Sequence, residues 1–62
     1  MRYAVYWTWK KDGMQDSDIA HSAQQRDTWI REMLKRGEHK EIAWCQIKAD
    51  GEYGRRIRVE TE

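Results

Sequence analysis

The sequence lacks the residues needed for a disulfide or a typical metal centre. Its 62 residues include one cysteine, Cys45, so no intrachain disulfide can form, and a reducing compartment is the expected setting. A structural zinc site needs about four Cys, His or carboxylate ligands at short spacings. Cys45, His21 and His39 have no paired spacing among them. We therefore predict no metal and no cofactor.

An excess of charge of one sign and long apolar runs are missing as well. The chain has twelve Lys and Arg residues and eleven Asp and Glu residues, so its net charge is +1. This balance argues against a protein whose main task is to grip phosphates. No apolar run approaches the roughly 20 residues that span a bilayer, and no signal-peptide pattern follows Arg2. We expect a cytoplasmic protein without membrane contact.

Proline, linkers and internal repeats are also absent, so residues 1–62 are expected to form a single domain. A domain of this size buries only about 60% of the surface of its extended chain, and its stability is marginal. Small domains are usually reinforced by disulfides, a metal or oligomerisation. Because the first two are not expected here, we predict a homo-oligomer, most simply a dimer.

Aromatic residues are abundant at the start of the chain, and a helical pattern follows them. The stretch RYAVYWTWK, residues 2–10, has the aromatic and β-branched residues that favour a strand. A helix is predicted over residues 17–36, because Asp16, Ser17 and Asp18 offer N-cap side chains and Gly37 suits a left-handed stop. Its apolar stripe comprises Ile19, Ala20, Ala23, Ile30, Met33 and Leu34.

The last third of the chain predicts a β-hairpin. Strands over 41–49 and 53–60 flank an Asp50-Gly51 turn signal. The predicted fold is α+β, with the order β-α-β-β and a three-stranded sheet covered on one face by one amphipathic helix. The crossover from the first strand to the second is expected to be right-handed. The second strand is placed at the centre and the third at an edge, and the alternative places the third between the other two.

Alternation along the strands predicts which side chains face the helix. We place Tyr3, Val5 and Trp7 there, together with Ala43, Cys45, Ile47, Ile57 and Val59 from the later strands. The face without a helix then carries Tyr6, Thr8, Ile42, Trp44, Gln46, Arg56 and Arg58. An extended apolar patch on a soluble protein usually marks an interaction site.

These patterns predict a non-enzymatic interaction module. It would self-associate through the helix-free face or through the edge of the first strand, and another protein could also occupy the face. The alternative is a module that binds single-stranded nucleic acid, with aromatics stacking on bases while Arg56 and Arg58 meet phosphates. A third interpretation is that the aromatic residues of this face are exposed singly. Such exposure is ordinary on protein surfaces and requires no partner. In size, lack of proline and aromatic density, the chain resembles small accessory proteins encoded by bacterial mobile elements.

Catalytic residues are not predicted. Cys45 falls in the inward register of a strand, where cysteine usually behaves as a small hydrophobe. Arg26 and Asp27 fall within the apolar arc of the helix, and a buried carboxylate is costly unless it is paired. We therefore expect Asp27 to accept hydrogen bonds from Arg55, a tryptophan N–H or backbone amides. Arg26, Asp27 and Arg55 would form a buried polar set that fixes the helix on the sheet.

Overall fold

A computed structural model describes residues 1–59 and has one helix packed against an antiparallel sheet. In chain order the elements are β1 (Arg2–Trp9), β2 (Gln15–Ala20), α1 (Ala23–Arg36), β3 (His39–Ile47) and β4 (Ile57–Arg58). The strands lie in the order β2-β1-β3-β4, and each neighbouring pair is antiparallel. The predicted α+β class, a sheet with one covering helix, is confirmed.

Strand β2 is an element that the sequence pattern did not predict. Residues 15–20 pair with β1 instead of forming the first turns of the helix. A short connection allows this pairing, since the Trp9 N–H donates to the Met14 carbonyl at 2.8 Å and Gly13 takes a φ of 72°. Asp12-Gly13 is thus a hairpin signal like the one at residues 50–51. The order becomes β-β-α-β-β, with one strand more than predicted.

The helix begins later than predicted and ends where predicted. Its N-cap is Ser22, whose Oγ accepts a hydrogen bond from the Gln25 N–H at 3.1 Å, so the predicted start at residue 17 is wrong. Gln25 in turn accepts from the His21 N–H at 2.7 Å, close to the reciprocal pattern of a capping box. At the other end Gly37 is left-handed, and its N–H donates to the Met33 carbonyl.

The extra strand changes how β1 and β3 are related. Because β2 reverses the chain before the helix, β1 and β3 pair antiparallel, and the expected right-handed parallel crossover does not occur. The strand order has β3 between β1 and β4, which confirms the central and edge positions predicted for these strands. Strand β4 is shorter than predicted, with an isolated bridge between Ile47 and Tyr53 before it. Glu60, the end of the predicted strand, lies outside the described residues.

A β-bulge at Glu41 decides which side of β3 faces the helix. The register shifts between Tyr6 and Thr8, and Glu41 adopts a φ of 52°. A single extra residue in one strand moves every later side chain to the opposite face. Past the bulge, Val5 is therefore paired with Trp44.

The prediction for β3 is consequently inverted. Ile42 and Trp44 pack beneath the helix, whereas Ala43, Cys45 and Ile47 lie on the other face. Strict alternation from His39, which is paired with Trp9, would have placed Ala43 beside Val5. That unbulged arrangement is the one that the sequence pattern predicted.

The core between helix and sheet is small and rich in aromatic residues. The placement of Val5, Trp7 and Tyr3 on the helix side is confirmed. Five buried residues form its centre, and five partly buried ones surround them: Val5, Ala20, Ile30, Met33 and Ile42, then Tyr3, Trp7, Trp29, Trp44 and Val59. His39 extends this layer between Trp7 and Trp9, with its ring centroid 4.3 Å from that of Trp9. At 14 residues, α1 falls short of the length and apolarity that crossing a membrane takes.

Arg26 attaches the helix to the sheet through aromatic rings. Its guanidinium carbon lies 4.1 Å from the Trp44 ring centroid and 4.6 Å from that of Tyr3, and its side chain is only 15% exposed. Cation–π contacts of this kind gain strength when the cation is desolvated. The predicted structural role of Arg26 in fixing the helix on the sheet agrees with this placement.

The expectations for Asp27 and Arg55 are wrong. The Asp27 side chain is 55% exposed, and its partner is Arg26, at 2.9 Å. Arg55 is exposed as well. The reason is helical phase, since adjacent residues are about 100° apart around a helix. Because Arg26 faces the sheet, Asp27 lies to the side, in water.

We expect Ile42→Ala to lower the free energy of unfolding by about 2–5 kcal/mol, because it empties a fully buried site. The matched control is Ile57→Ala, which removes the same atoms from a side chain that is 46% exposed and should cost about 1 kcal/mol or less. Urea denaturation measures the free energy of unfolding of both variants. Ile42→Val replaces Ile42→Ala if the alanine variant does not fold. Equal losses at the two positions would contradict the inverted register.

Candidate functional site

The sheet face opposite the helix carries the candidate site, and we call it the helix-free face. Cross-strand pairing assigns its residues, because directly paired side chains lie on the same face. One row across the sheet runs from Ser17 through Tyr6 and Ala43 to Arg58. The face comprises Arg2, Ala4, Tyr6, Thr8, Gln15, Ser17, Ile19, Lys40, Ala43, Cys45, Ile47, Tyr53, Arg56 and Arg58.

Small residues occupy the middle of this face, and larger neighbours cover them. Ala4, Cys45 and Ile47 are buried, with Tyr6 and Ile19 packed against them. Alanine and cysteine stand barely above the backbone, so longer side chains can lie across them. The apolar part of the face is therefore largely closed by the chain itself. The extended apolar patch predicted from the sequence does not form on the described residues of this face, because Ile42 and Trp44 pack beneath the helix. The exposed aromatic side chain on the face is Tyr53, which is bridged to Ile47.

Tyr6 is the aromatic residue at the centre of the helix-free face. Its hydroxyl oxygen lies 3.6 Å from the Cys45 sulfur, and the Arg56 guanidinium carbon lies 3.9 Å from the centroid of its ring. Partial burial raises the pKa of the Tyr6 phenol above its ordinary value of 10.0, and the contact with Cys45 raises it further, whereas Arg56 lowers it. The phenol is thus held neutral, beneath a cation.

Positive charge is concentrated on this face although the whole chain is almost neutral. Arg2, Lys40, Arg56 and Arg58 all belong to it. No carboxylate occupies a paired position on the face within residues 1–59. The helix-free face is therefore cationic although the net charge of the chain is only +1. Such a surface attracts polyanions and repels a copy of itself.

A groove of about 340 Å³ opens at one end of the face, beside Tyr6. Its polar walls include Tyr6, Thr8, Gln15, Ser17, Glu41 and Arg56. The bulge places Glu41 at the rim of the groove, and the β1–β2 hairpin brings Gln15 and Ser17 to the opposite wall. The groove therefore depends on the two features of the fold that the sequence pattern did not predict.

The structure places four of the seven residues predicted for the helix-free face on that face. Tyr6, Thr8, Arg56 and Arg58 lie on the helix-free face. The other predicted members, Ile42, Trp44 and Gln46, lie on the helix side because of the bulge. The edge of the first strand, the other predicted contact, is closed, since β1 is paired on both sides.

Several residues of the face were not singled out from the sequence. Arg2 could have been found, because it shares the period-two phase of Tyr6 along β1. Lys40 falls between the predicted helix over 17–36 and the predicted strand over 41–49. Gln15 precedes the predicted helix and Ser17 begins it, so only the hairpin pairing reveals these two residues.

The described residues also bear on metal binding and on the sheet edge. Within residues 1–59, no group of three or more His, Cys, Asp or Glu side chains is placed to hold a metal ion. Along the outer strand β2, the carboxylates of Asp16 and Asp18 accept hydrogen bonds from the Ser17 and Ile19 amides at 2.8 and 2.7 Å. These two amides lie on the same edge of the strand and are satisfied, so an incoming strand finds them occupied.

The shifted pKa of Tyr6 predicts a loss of stability at high pH. Above about pH 10 the phenol of the unfolded chain loses its proton first, so the free energy of unfolding falls until the folded phenol also ionises. Phenolate absorbance, taken as the difference between the protein and Tyr6→Phe, should give a pKa above 10.0. Arg56→Ala should raise that pKa further, whereas the control Arg58→Ala should not. A Tyr6 pKa at or below the ordinary value would contradict this geometry.

Comparison with known proteins adds no assignment, because no family model, curated protein or solved structure matches the chain.

Proposed function

We propose that the helix-free face binds single-stranded nucleic acid. The observation that carries this proposal is the set of four cations on the face that holds Tyr6. Arg2, Lys40, Arg56 and Arg58 share this face, Arg56 contacts the Tyr6 ring, and no carboxylate occupies a paired position on the face within the described residues. Proteins that bind single strands commonly combine a positive surface that follows the backbone with planar groups on which bases stack. This face has both components. The role is one of binding and not of catalysis.

The contact between Tyr6 and Arg56 supports a specific mode of stacking. One side of the Arg56 guanidinium lies over the Tyr6 ring, and Arg56 is exposed to solvent. Bases stack on guanidinium planes as well as on aromatic rings. The outer side of Arg56 would therefore take a base, while Tyr6 holds the guanidinium in place. Arg58, which is paired with Ala43, and Lys40, which is paired with Thr8, would meet the phosphates.

Self-association through the same face is the competing proposal, and the charges disfavour it. A face-to-face dimer would bring four cations of one copy against four of the other. Apart from Tyr53, it would also bury little additional apolar surface, because Ala4, Cys45 and Ile47 are already covered. Pairing through the edge of β2 is opposed by the occupied amides of Ser17 and Ile19.

Binding of a labelled single-stranded RNA of mixed sequence should depend strongly on salt. For single strands the logarithm of the binding constant falls by about 0.7 per neutralised phosphate for each unit in the logarithm of salt concentration, so four cations give a slope of about −3. Arg56→Ala with Arg58→Ala should flatten this slope by about 1.4. Fluorescence anisotropy between 50 and 200 mM salt, a range typical for such titrations, measures it.

The control is a double substitution with the same charge change on the helix, Arg31→Ala with Lys35→Ala. Both side chains are exposed and lie away from the helix-free face. The slope should stay near its original value in this variant. Absence of binding at low salt, or equal effects of the two double variants, would refute the proposal. Displacement of the RNA by polyglutamate at matched charge would point to an acidic protein partner instead.

The mass of the protein in solution tests the alternative of a face-to-face dimer. We expect sedimentation equilibrium to give the monomer mass of 7.6 kDa at high micromolar protein concentration, because like charges oppose face-to-face contact. A stable species of twice that mass, lost on Tyr6→Ser substitution, would reinstate self-association through this face.

A further inference from the structure

The groove beside Tyr6 differs in chemistry from the rest of the helix-free face. Its volume of about 340 Å³ lies within the range of sites that hold a small organic group. Along the sheet the exposed side chains are cationic, whereas the groove adds the Glu41 carboxylate, the Gln15 amide and the Ser17 and Thr8 hydroxyls. Phosphates avoid a carboxylate, so this end of the face suits a base and not the backbone of a strand.

Glu41 offers two acceptor oxygens at the rim of the groove. Within residues 1–59 the ion pair joins Arg26 to Asp27, and Glu41 has no cation paired with it there. Asp16 also borders the groove, but its carboxylate accepts the hydrogen bond from the Ser17 amide at 2.8 Å. Glu41 is thus the carboxylate in the groove with the freest hydrogen-bonding capacity, and an ionised carboxylate can only accept.

The four bases differ in what they present to such a carboxylate. Guanine has two adjacent donors, N1–H and the N2 amine, on its Watson–Crick edge, and these match the two oxygens of one carboxylate. Adenine, cytosine and uracil each present one donor group with an acceptor beside it. Two parallel hydrogen bonds to a charged acceptor are stronger and more specific than one.

We propose that this groove is a guanine-selective subsite, with Glu41 accepting from N1–H and N2–H while the base stacks against Arg56. This inference rests on the proposed function, because it names the base that one position of the bound strand would carry. Gln15, Ser17 and Thr8 would meet the remaining polar atoms of the base from the opposite wall.

The backbone at Glu41 provides a way to separate its side chain from its structural role. The bulge requires the left-handed φ of 52°, which glycine adopts without strain. Glu41→Gly therefore preserves the bulge and deletes the carboxylate. Glu41→Gln keeps the size of the side chain and replaces one acceptor oxygen by a donor. Glu32→Gln, at an exposed helix position, is the matched control.

The test uses pyrimidine octamers of RNA that carry one central guanine, inosine or adenine, together with an all-pyrimidine octamer. We expect guanine to raise the affinity about tenfold over adenine, the order of discrimination of one bidentate contact. Inosine, which lacks the N2 amine, should lie between them. Both Glu41 variants should lose the preference and still bind the all-pyrimidine octamer, whereas Glu32→Gln should keep the preference.

The outcomes separate this inference from the proposal on which it rests. Equal affinity for the guanine and adenine octamers, together with salt-dependent binding of all four, would overturn the guanine subsite and leave single-strand binding in place. A guanine preference that survives in both Glu41 variants would also overturn it. Failure of every octamer to bind at low salt would overturn both.

Discussion

The structure depends on one extra residue in a central strand. Glu41 forms a β-bulge with a left-handed backbone, and the bulge inverts the two faces of β3 beyond it. Ile42 and Trp44 pass beneath the helix, and the small residues Ala43 and Cys45 pass to the other side. The one helix within residues 1–59 covers one face of the sheet, so this inversion decides which side chains form the core.

Each face of the sheet has an arginine packed on an aromatic ring, and the two arginines differ in their exposure to solvent. Under the helix, Trp44 and Tyr3 hold the Arg26 guanidinium, which anchors the helix where an aliphatic side chain would otherwise be expected. On the helix-free face, Tyr6 holds Arg56, which remains exposed. The first arrangement contributes to stability because the cation–π attraction is stronger when the cation is shielded from water. The second leaves a planar cation presented to solvent, where a ligand can reach it.

The distribution of charge bears on function more than its total does. A net charge of +1 argues against nucleic-acid binding when the chain is considered as a whole. Folding collects Arg2, Lys40, Arg56 and Arg58 on one surface. β1 is paired on both edges, and the outward amides of Ser17 and Ile19 on the edge strand β2 already donate to carboxylates. This distribution of charge is the basis of the proposal that the face binds an anionic partner.

Local signals in the sequence determined the elements that depend on neighbouring residues alone. The aromatic run of β1, the helix end at Gly37 and the Asp50-Gly51 turn each act within a few residues, and the structure retains all three. The candidate site was predictable as far as it rests on alternation along one strand, as for Tyr6, Thr8, Arg56 and Arg58.

Tertiary structure decided what depends on pairing between strands. Gln15–Ala20 became a strand because β1 offered its edge, and Glu41 became a bulge because two registers had to be joined. Alternation with period two identifies the two faces of a strand but not which of them is buried. That choice is set by the register with the neighbouring strand, which no single segment of the sequence contains.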